Sequence, residues 1–173
     1  MIRSIFVASV ATLALGSVAQ AQNSELSVGA GYDRISVGDF NLDSLVVRGN
    51  YDFSEHFGIE AQANIGVGDD TVVDSGVPFE MSLNYAASLF GVFRIVSNES
   101  GNIFVRAGYT TAEYETSAFG FSVTDKPDAW AYGVGGEYLF DARNGLRFDY
   151  TSVDYEGDSA DVYGITYVRH FGG

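Results

Sequence analysis

The sequence predicts an all-β chain, an eight-stranded antiparallel up-and-down transmembrane β-barrel. Three observations predict it: an amphipathic final segment, seven earlier segments with the same two-residue alternation, and connectors that alternate between tight and long. The final segment, Asp161 to Phe171, sets Tyr163, Ile165, Tyr167 and Phe171 on one face and Val162, Gly164, Thr166 and His170 on the other. A strand has a side-chain period of two, so one face is aromatic and apolar while the other is small or polar. That division suits a strand between lipid and a filled lumen. The last strand of a soluble sandwich is the alternative for this segment taken alone.

The start of the chain narrows the choice. Residues 1–21 join a basic Arg3, an apolar run from Ile5 to Val18 and small residues at Ala19 and Ala21. This is the pattern of a secretory signal peptide cleaved after Ala21, which leaves residues 22–173 as one barrel domain. The run is too short and too diluted by Ser9, Thr12, Gly16 and Ser17 for a membrane anchor. Cysteine is absent, which excludes disulfides and thiolate metal sites. The 21 glycines are spread singly rather than in tracts, and with only two prolines a flexible or Pro-rich linker is excluded. No later apolar stretch reaches the length of a membrane helix, yet the chain is 14% aromatic. A barrel combines those properties.

Segment one points Leu26, Val28, Ala30 and Tyr32 to one side, and segment two repeats this with Leu45, Val47, Gly49, Tyr51 and Phe53. Segment three is the cleanest, with Phe57, Ile59, Ala61, Ala63, Ile65 and Val67 against Gly58, Glu60, Gln62 and Asn64. Segment four sets Met81, Leu83, Tyr85, Ala87, Leu89 and Phe93 outward, with Phe90 and Val92 as apolar exceptions on the inner face. Segments five, six and seven follow with Ile103 to Tyr109, Trp130 to Phe140 and Leu146 to Tyr150. The connectors at Ser54–His56, Ser97–Asn102 and Asp141–Gly145 are tight, and those near Val37, Asp70, Gly120 and Gly157 are mostly longer. Short turns on one side and long loops on the other put the termini in the periplasm and the long loops outside.

Length agrees with this. A strand rising about 3.3 Å per residue and tilted about 40° crosses an apolar band of about 25 Å in roughly ten residues. Backbone polar groups cannot stay unpaired in lipid, so Tyr163–Phe171 is expected to pair with Glu25–Asp33 and close the sheet. Eight strands enclose a lumen that side chains fill, which argues against a wide diffusion pore.

The inner face then carries the candidate site. It holds the acids Asp52, Glu60, Glu137 and Asp149 beside the bases Arg48, Arg94, Arg106 and Arg147. Buried charges are costly unless paired, so these eight residues predict an interior ion-pair network with ordered water. A polar plug and a proton or ion path are both open readings, and the individual partners are not fixed by the sequence. Arg106-x-x-Tyr109-Thr110 and Arg147-x-x-Tyr150-Thr151 echo one another on two strands expected to rise outward.

The outer connectors hold thirteen carboxylates, from Asp39 to Asp161, against Arg34 and Lys126. Nucleic acid, which needs cationic neutralisation, is thereby disfavoured as a partner. Divalent cations shared between these acids and lipopolysaccharide phosphates are one expectation, and a plainly solvated surface is the other. Only two histidines exist, His56 and His170, both near the periplasmic end. A histidine-dependent enzyme acting on lipopolysaccharide would lack its base at the outer rim, so no catalytic residue, cofactor or metal centre is expected.

With these features in place, residues 23–171 resemble the small eight-stranded outer-membrane barrels that include opacity-type surface antigens and the OmpA transmembrane domain. Gly164, Tyr167 and Phe171 match the aromatic C-terminal signature of that family. The resemblance implies that the barrel-assembly machinery reads these residues. Arg169 stands where an apolar residue is usual, and Gly172-Gly173 follow the final Phe. The implied protein is a monomer in the Gram-negative outer membrane, in contact with its lipid and lipopolysaccharide. A structural or surface role, as adhesin or antigen, is the leading expectation. A narrow channel for small or hydrophobic solutes is the alternative, and an enzyme modifying envelope lipid a third.

Overall fold

A computed structural model describes residues 25–74, 77–118, 121–155 and 158–172. The expected signal peptide and its cleavage residues Ala19 and Ala21 lie outside the described residues. The strands are β1 (Glu25–Val37), β2 (Phe40–Asp52), β3 (Phe57–Gly66), β4 (Asp69–Asp74), β5 (Val77–Asn98), β6 (Gly101–Ala118), β7 (Phe121–Asp125), β8 (Asp128–Leu139), β9 (Asn144–Tyr155) and β10 (Asp158–Phe171).

These strands form a closed antiparallel barrel of eight staves. β3 and β4 both lie along β5, at Tyr85–Phe93 and Val77–Ser82 respectively, and share one stave. β8 and β7 both lie along β6 and share another. Pairing of β5 with β6 and of β1 with β10 closes the ring, so no backbone edge faces lipid. The closing register sets Leu26 opposite Phe171 and Arg34 opposite Tyr163, so the two expected segments pair with the β1 bounds one residue further along the chain.

β4 and β7 correct one expectation. The stretches near Asp70 and Gly120 are read from sequence as loops, but the chain continues there as strand, so that β4, β5, β6 and β7 form a four-stranded blade above the barrel. Carboxylates and glycine dominate those stretches and mask the β-forming Val72, Val73, Phe121 and Val123. The β1–β2 connector is also short, because Val37 pairs with Phe40 across Gly38-Asp39 and Gly38 takes the left-handed φ of 56°.

A second correction concerns Met81 and Leu83. The register of β5 on β6 shifts between Leu83 and Tyr85, and a bulge of this kind moves every residue beyond it to the other face. Leu83 is therefore buried inside, with Met81 packed against the core, while Tyr85 and Leu89 stay outward. Apolar residues alone cannot reveal such a slip, since both faces accept them here.

The lipid face carries paired aromatics in two tiers. Tyr109 meets Trp130 at 5.4 Å and Tyr150 meets Tyr163 at 5.3 Å between ring centroids toward the outer ends of their strands. Phe57–Phe93 and Phe140–Tyr167 occupy the inner tier. Such belts fix a barrel's depth in a bilayer. Inside, an apolar cluster of Ile35, Leu42, Leu83, Ala112, Tyr114, Val153, Ala160 and Val162 fills the outer part of the lumen. The charged residues lie below it.

Candidate functional site

Inward-facing side chains of five strands meet in the lumen as a lattice of charge. Asp33 comes from β1, Arg48 from β2, Glu60 from β3, Arg106 from β6, and Arg147 with Asp149 from β9. Arg48 donates to Asp33 at 2.8 Å and to Asp149. Arg106 donates to Glu60 and, at 2.7 Å, to Asp149. Arg147 completes the ring, with Glu60 on one side and Asp149 on the other at 3.0 Å. Three guanidinium groups thus alternate with three carboxylates, and the set is formally neutral.

Neutral polar side chains take up remaining hydrogen-bonding capacity. Asn64 donates to Asp33 at 2.9 Å and Gln62 at 3.2 Å, while Arg106 also donates to Thr151 at 2.7 Å. Glu60 and Asp33 are both 0% exposed, a burial that only such complete pairing tolerates. The guanidinium groups of Arg106 and Arg147 also lie over the rings of Phe90 and Phe104, at 4.4 and 4.1 Å.

Space for this lattice comes from small residues facing it. β8 turns Ala129, Ala131, Gly133 and Gly135 inward, opposite the bulky Phe104 and Arg106 of β6. Gly164 does the same on β10, since a Cβ there would lie 2.7 Å from Asp33 Oδ1 and 2.9 Å from Arg48 Nη2. Gly164, carried into the C-terminal signature by resemblance, thus also borders the ion-pair lattice.

Three of the eight candidate residues, Arg94, Asp52 and Glu137, stand apart from it. Arg94 pairs with Asp52, which also accepts from Asn50 at 2.9 Å. Glu137 meets no arginine in the lattice and instead pairs with His170 at 2.5 Å. The other nitrogen of that ring lies 2.6 Å from Glu25. Both nitrogens face carboxylate oxygens, which only accept, so both donate and the ring is an imidazolium. His56 is exposed and stacks on Phe93.

Asp33 and Glu25 are the lattice and rim members that sequence reasoning missed. The parity of Ser27 and Gly29 already places both inward, a signal hidden by their position at the ends of segment one. The echoed Arg106 and Arg147 come together on the single carboxylate Glu60. Among the described residues, no three acidic or histidine side chains converge to hold a metal ion.

The ion pairs of this lattice cross-brace the strands that carry them, and Arg106 with Gln62 and Asn64 also borders a cavity of about 30 Å³. The C-terminal aromatics Tyr167 and Phe171 lie on the lipid face, and Arg169 lies 5.7 Å over the Phe171 ring.

The model of the outer membrane protein beta-barrel domain matches residues 5–171. The chain belongs to this family. It is a Gram-negative outer-membrane protein. No individually curated protein matches it in sequence. Solved structures similar to this family member include Ail, the attachment invasion locus protein of Yersinia pestis, in complex with the heparin analogue sucrose octasulfate. Identity to it is 18%, with 86% of this chain and 99% of that chain covered, at a TM-score of 0.63. The N-terminal barrel of Pseudomonas aeruginosa OprF shares 14% identity over 88% of this chain and all of that chain, with a TM-score of 0.61. OprG of the same organism shares 10% over 87% of this chain and 97% of that one, with a TM-score of 0.64. At these identities the likeness is one of fold.

Proposed function

We propose that this family member is a plugged outer-membrane scaffold that presents an acidic surface to the exterior, as an adhesin or surface antigen. The observation that carries the reading is the six-residue lattice joining Arg48, Arg106 and Arg147 to Asp33, Glu60 and Asp149 across the lumen. Ions crossing that level would have to part charges paired in low dielectric, at a cost of several kcal/mol per charge. In planar bilayers the protein is expected to insert without steady single-channel steps. Regular steps would overturn the plugged reading.

Several partners belong to the same proposal. Lipid and lipopolysaccharide surround a monomer, Gly164, Tyr167 and Phe171 serve the barrel-assembly machinery, and divalent cations bridge rim carboxylates to lipopolysaccharide phosphates that supply the missing ligands. The sulfated sugar analogue bound to Ail is a poor guide here, because the outer surface of this chain is acidic and repels polyanions. No enzymatic role is proposed, as His170 is committed to two carboxylates and His56 lies in the β2–β3 connector.

A channel for small hydrophobic solutes is the second reading. It is favoured by a cavity of about 30 Å³ at the top of the lattice, bordered by Arg106, Gln62 and Asn64 and walled by Ile35, Tyr114 and Val162. Uptake of an apolar solute by proteoliposomes, with no ionic conductance, would favour it.

A further inference from the structure

We propose that the free edge of β7 is a strand-addition site for an extended basic peptide segment in which lysine or arginine alternates with apolar residues. The proposal rests on the surface role above and names its partner. β7 pairs with β6, from Tyr114 opposite Asp125 to Ala118 opposite Phe121, and among the described residues it has no second neighbour. Its other edge therefore presents backbone N–H and C=O groups that a further strand would satisfy.

Position makes this edge unlike the rest of the barrel. Tyr114, where β7 begins to pair, lies about 16 Å along β6 from the girdle residue Tyr109, at about 3.3 Å per residue. Lipid thus covers the exposed apolar side chains below but not those of β7. Phe121 is 79% exposed and Val123 is 62% exposed, and all five residues of the strand are open. Both side chains face the same way, since residues two apart share a face. Natural edges are commonly blunted by lysine or proline within the strand, and β7 contains neither. The opposite edge of the blade is different: β4 lies near β2, where the Asn41 amide donates to Asp70 at 2.7 Å.

Charge selects the partner. On the face away from Phe121 and Val123 lie Glu115 of β6, opposite Thr124, and Asp128 of β8, opposite Thr111, while the nearby ammonium of Lys126 is held at 2.7 Å by Glu113. An added strand would place alternate apolar residues beside Phe121 and Val123, and basic ones on the opposite face within an acidic field.

The experiment uses the folded protein in zwitterionic phosphatidylcholine nanodiscs and a blocked peptide of about eight residues alternating lysine and valine, a common strand length. Amide resonances of Phe121–Asp125 are expected to shift saturably and to gain protection from hydrogen exchange. A glutamate–valine peptide is expected to bind at least about tenfold more weakly. The lysine peptide with N-methylated backbone, which keeps its charge but loses its donors, is expected not to bind at all. The exposed double variant F121S/V123S, whose folding is checked by heat-modifiable gel mobility, is expected to lose most of the affinity. Shifts spread over the acidic rim, unchanged by N-methylation, would overturn the proposal in favour of charge adsorption. Peptide-independent shifts of β7 that grow with protein concentration would overturn it in favour of a second copy of the chain. Adhesion of expressing cells with unmoved β7 amides would overturn strand addition and leave the surface role standing. Loss of both would remove both readings.

Discussion

Glu60 holds two arginines at once while wholly buried, so its charge rather than its shape is what the lumen requires. Glu60→Gln keeps the volume but leaves Arg106 and Arg147 with one carboxylate fewer between them. Breaking a buried pair by removing one partner costs about 3–5 kcal/mol. Urea unfolding of the lipid-embedded protein is expected to show a loss in that range, and a loss below about 1 kcal/mol would mean that water already screens the site. Gln62 cannot compensate, because its oxygen already accepts from Arg106 at 3.1 Å. A second residue-scale effect lies in the β8–β9 turn. The amides of Arg143 and the side chain of Asn144 donate to Asp141 and hold its carboxyl below the usual range. A depressed folded pKa stabilises the turn above the unfolded value of about 3.9 and loses that contribution as pH falls through the lower folded value. The Asp141 carboxyl is therefore expected to titrate by NMR with a midpoint below about 3.9, together with the Arg143 amide. A midpoint at or above that value would show that the turn bonds are absent in solution.

Elements were legible in the sequence wherever lipid imposed a clean alternation, and obscure where it did not. β3 alternates without exception, because one face meets hydrocarbon and the other meets Arg106 and Arg147. β5 defeats the same reasoning at Leu83/Tyr85, since an apolar outer chamber lets inward and outward positions carry the same residue types. β4 and β7 lie above the bilayer, where no solvent contrast enforces a pattern and acidic residues imitate a loop. The inward charges were readable as a set from parity, but their partners depend on shear and side-chain reach, which parity does not encode. His170 shows the same limit: it reads as an interior polar residue, while its two contacts come from β1 and β8. By those contacts it ties the closing β1–β10 seam to β8, two staves away. His170→Ala removes two charge-assisted bonds and leaves the buried Glu137 without its imidazolium, a loss of about 2–4 kcal/mol. Equilibrium unfolding should report that loss, and β1–β10 amides near Ser27 should exchange faster than those near Ile35. Uniform exchange along the seam would show that His170 does not hold its lower end.

At the scale of the molecule, closure and filling are separate devices. Hydrogen bonding around eight staves closes the sheet among the described residues, leaving no strand edge to lipid, and it requires nothing of the lumen. The lattice adds cross-braces that join the neighbouring strands β1, β2 and β3 to β6 and β9, with which they share no backbone pairing. Removing a matched pair should therefore open the lumen without undoing the barrel. In the double variant Glu60→Ala/Arg106→Ala one acid and one base leave together, so net charge in the lumen is preserved and the bulk that obstructs it is reduced. Arg147 and Asp149 keep each other as partners, as do Arg48 and Asp33. The folded form should still migrate differently from its boiled form on a gel, because the closed hydrogen-bonded wall persists. Planar bilayers should then show steady conductance steps that the unaltered protein lacks. Retained mobility with a silent bilayer would mean that the obstruction resides instead in the apolar chamber of Ile35, Leu42, Leu83 and Tyr114. Loss of the mobility difference would mean that the lattice is needed for closure itself, and the two devices would have to be treated as one.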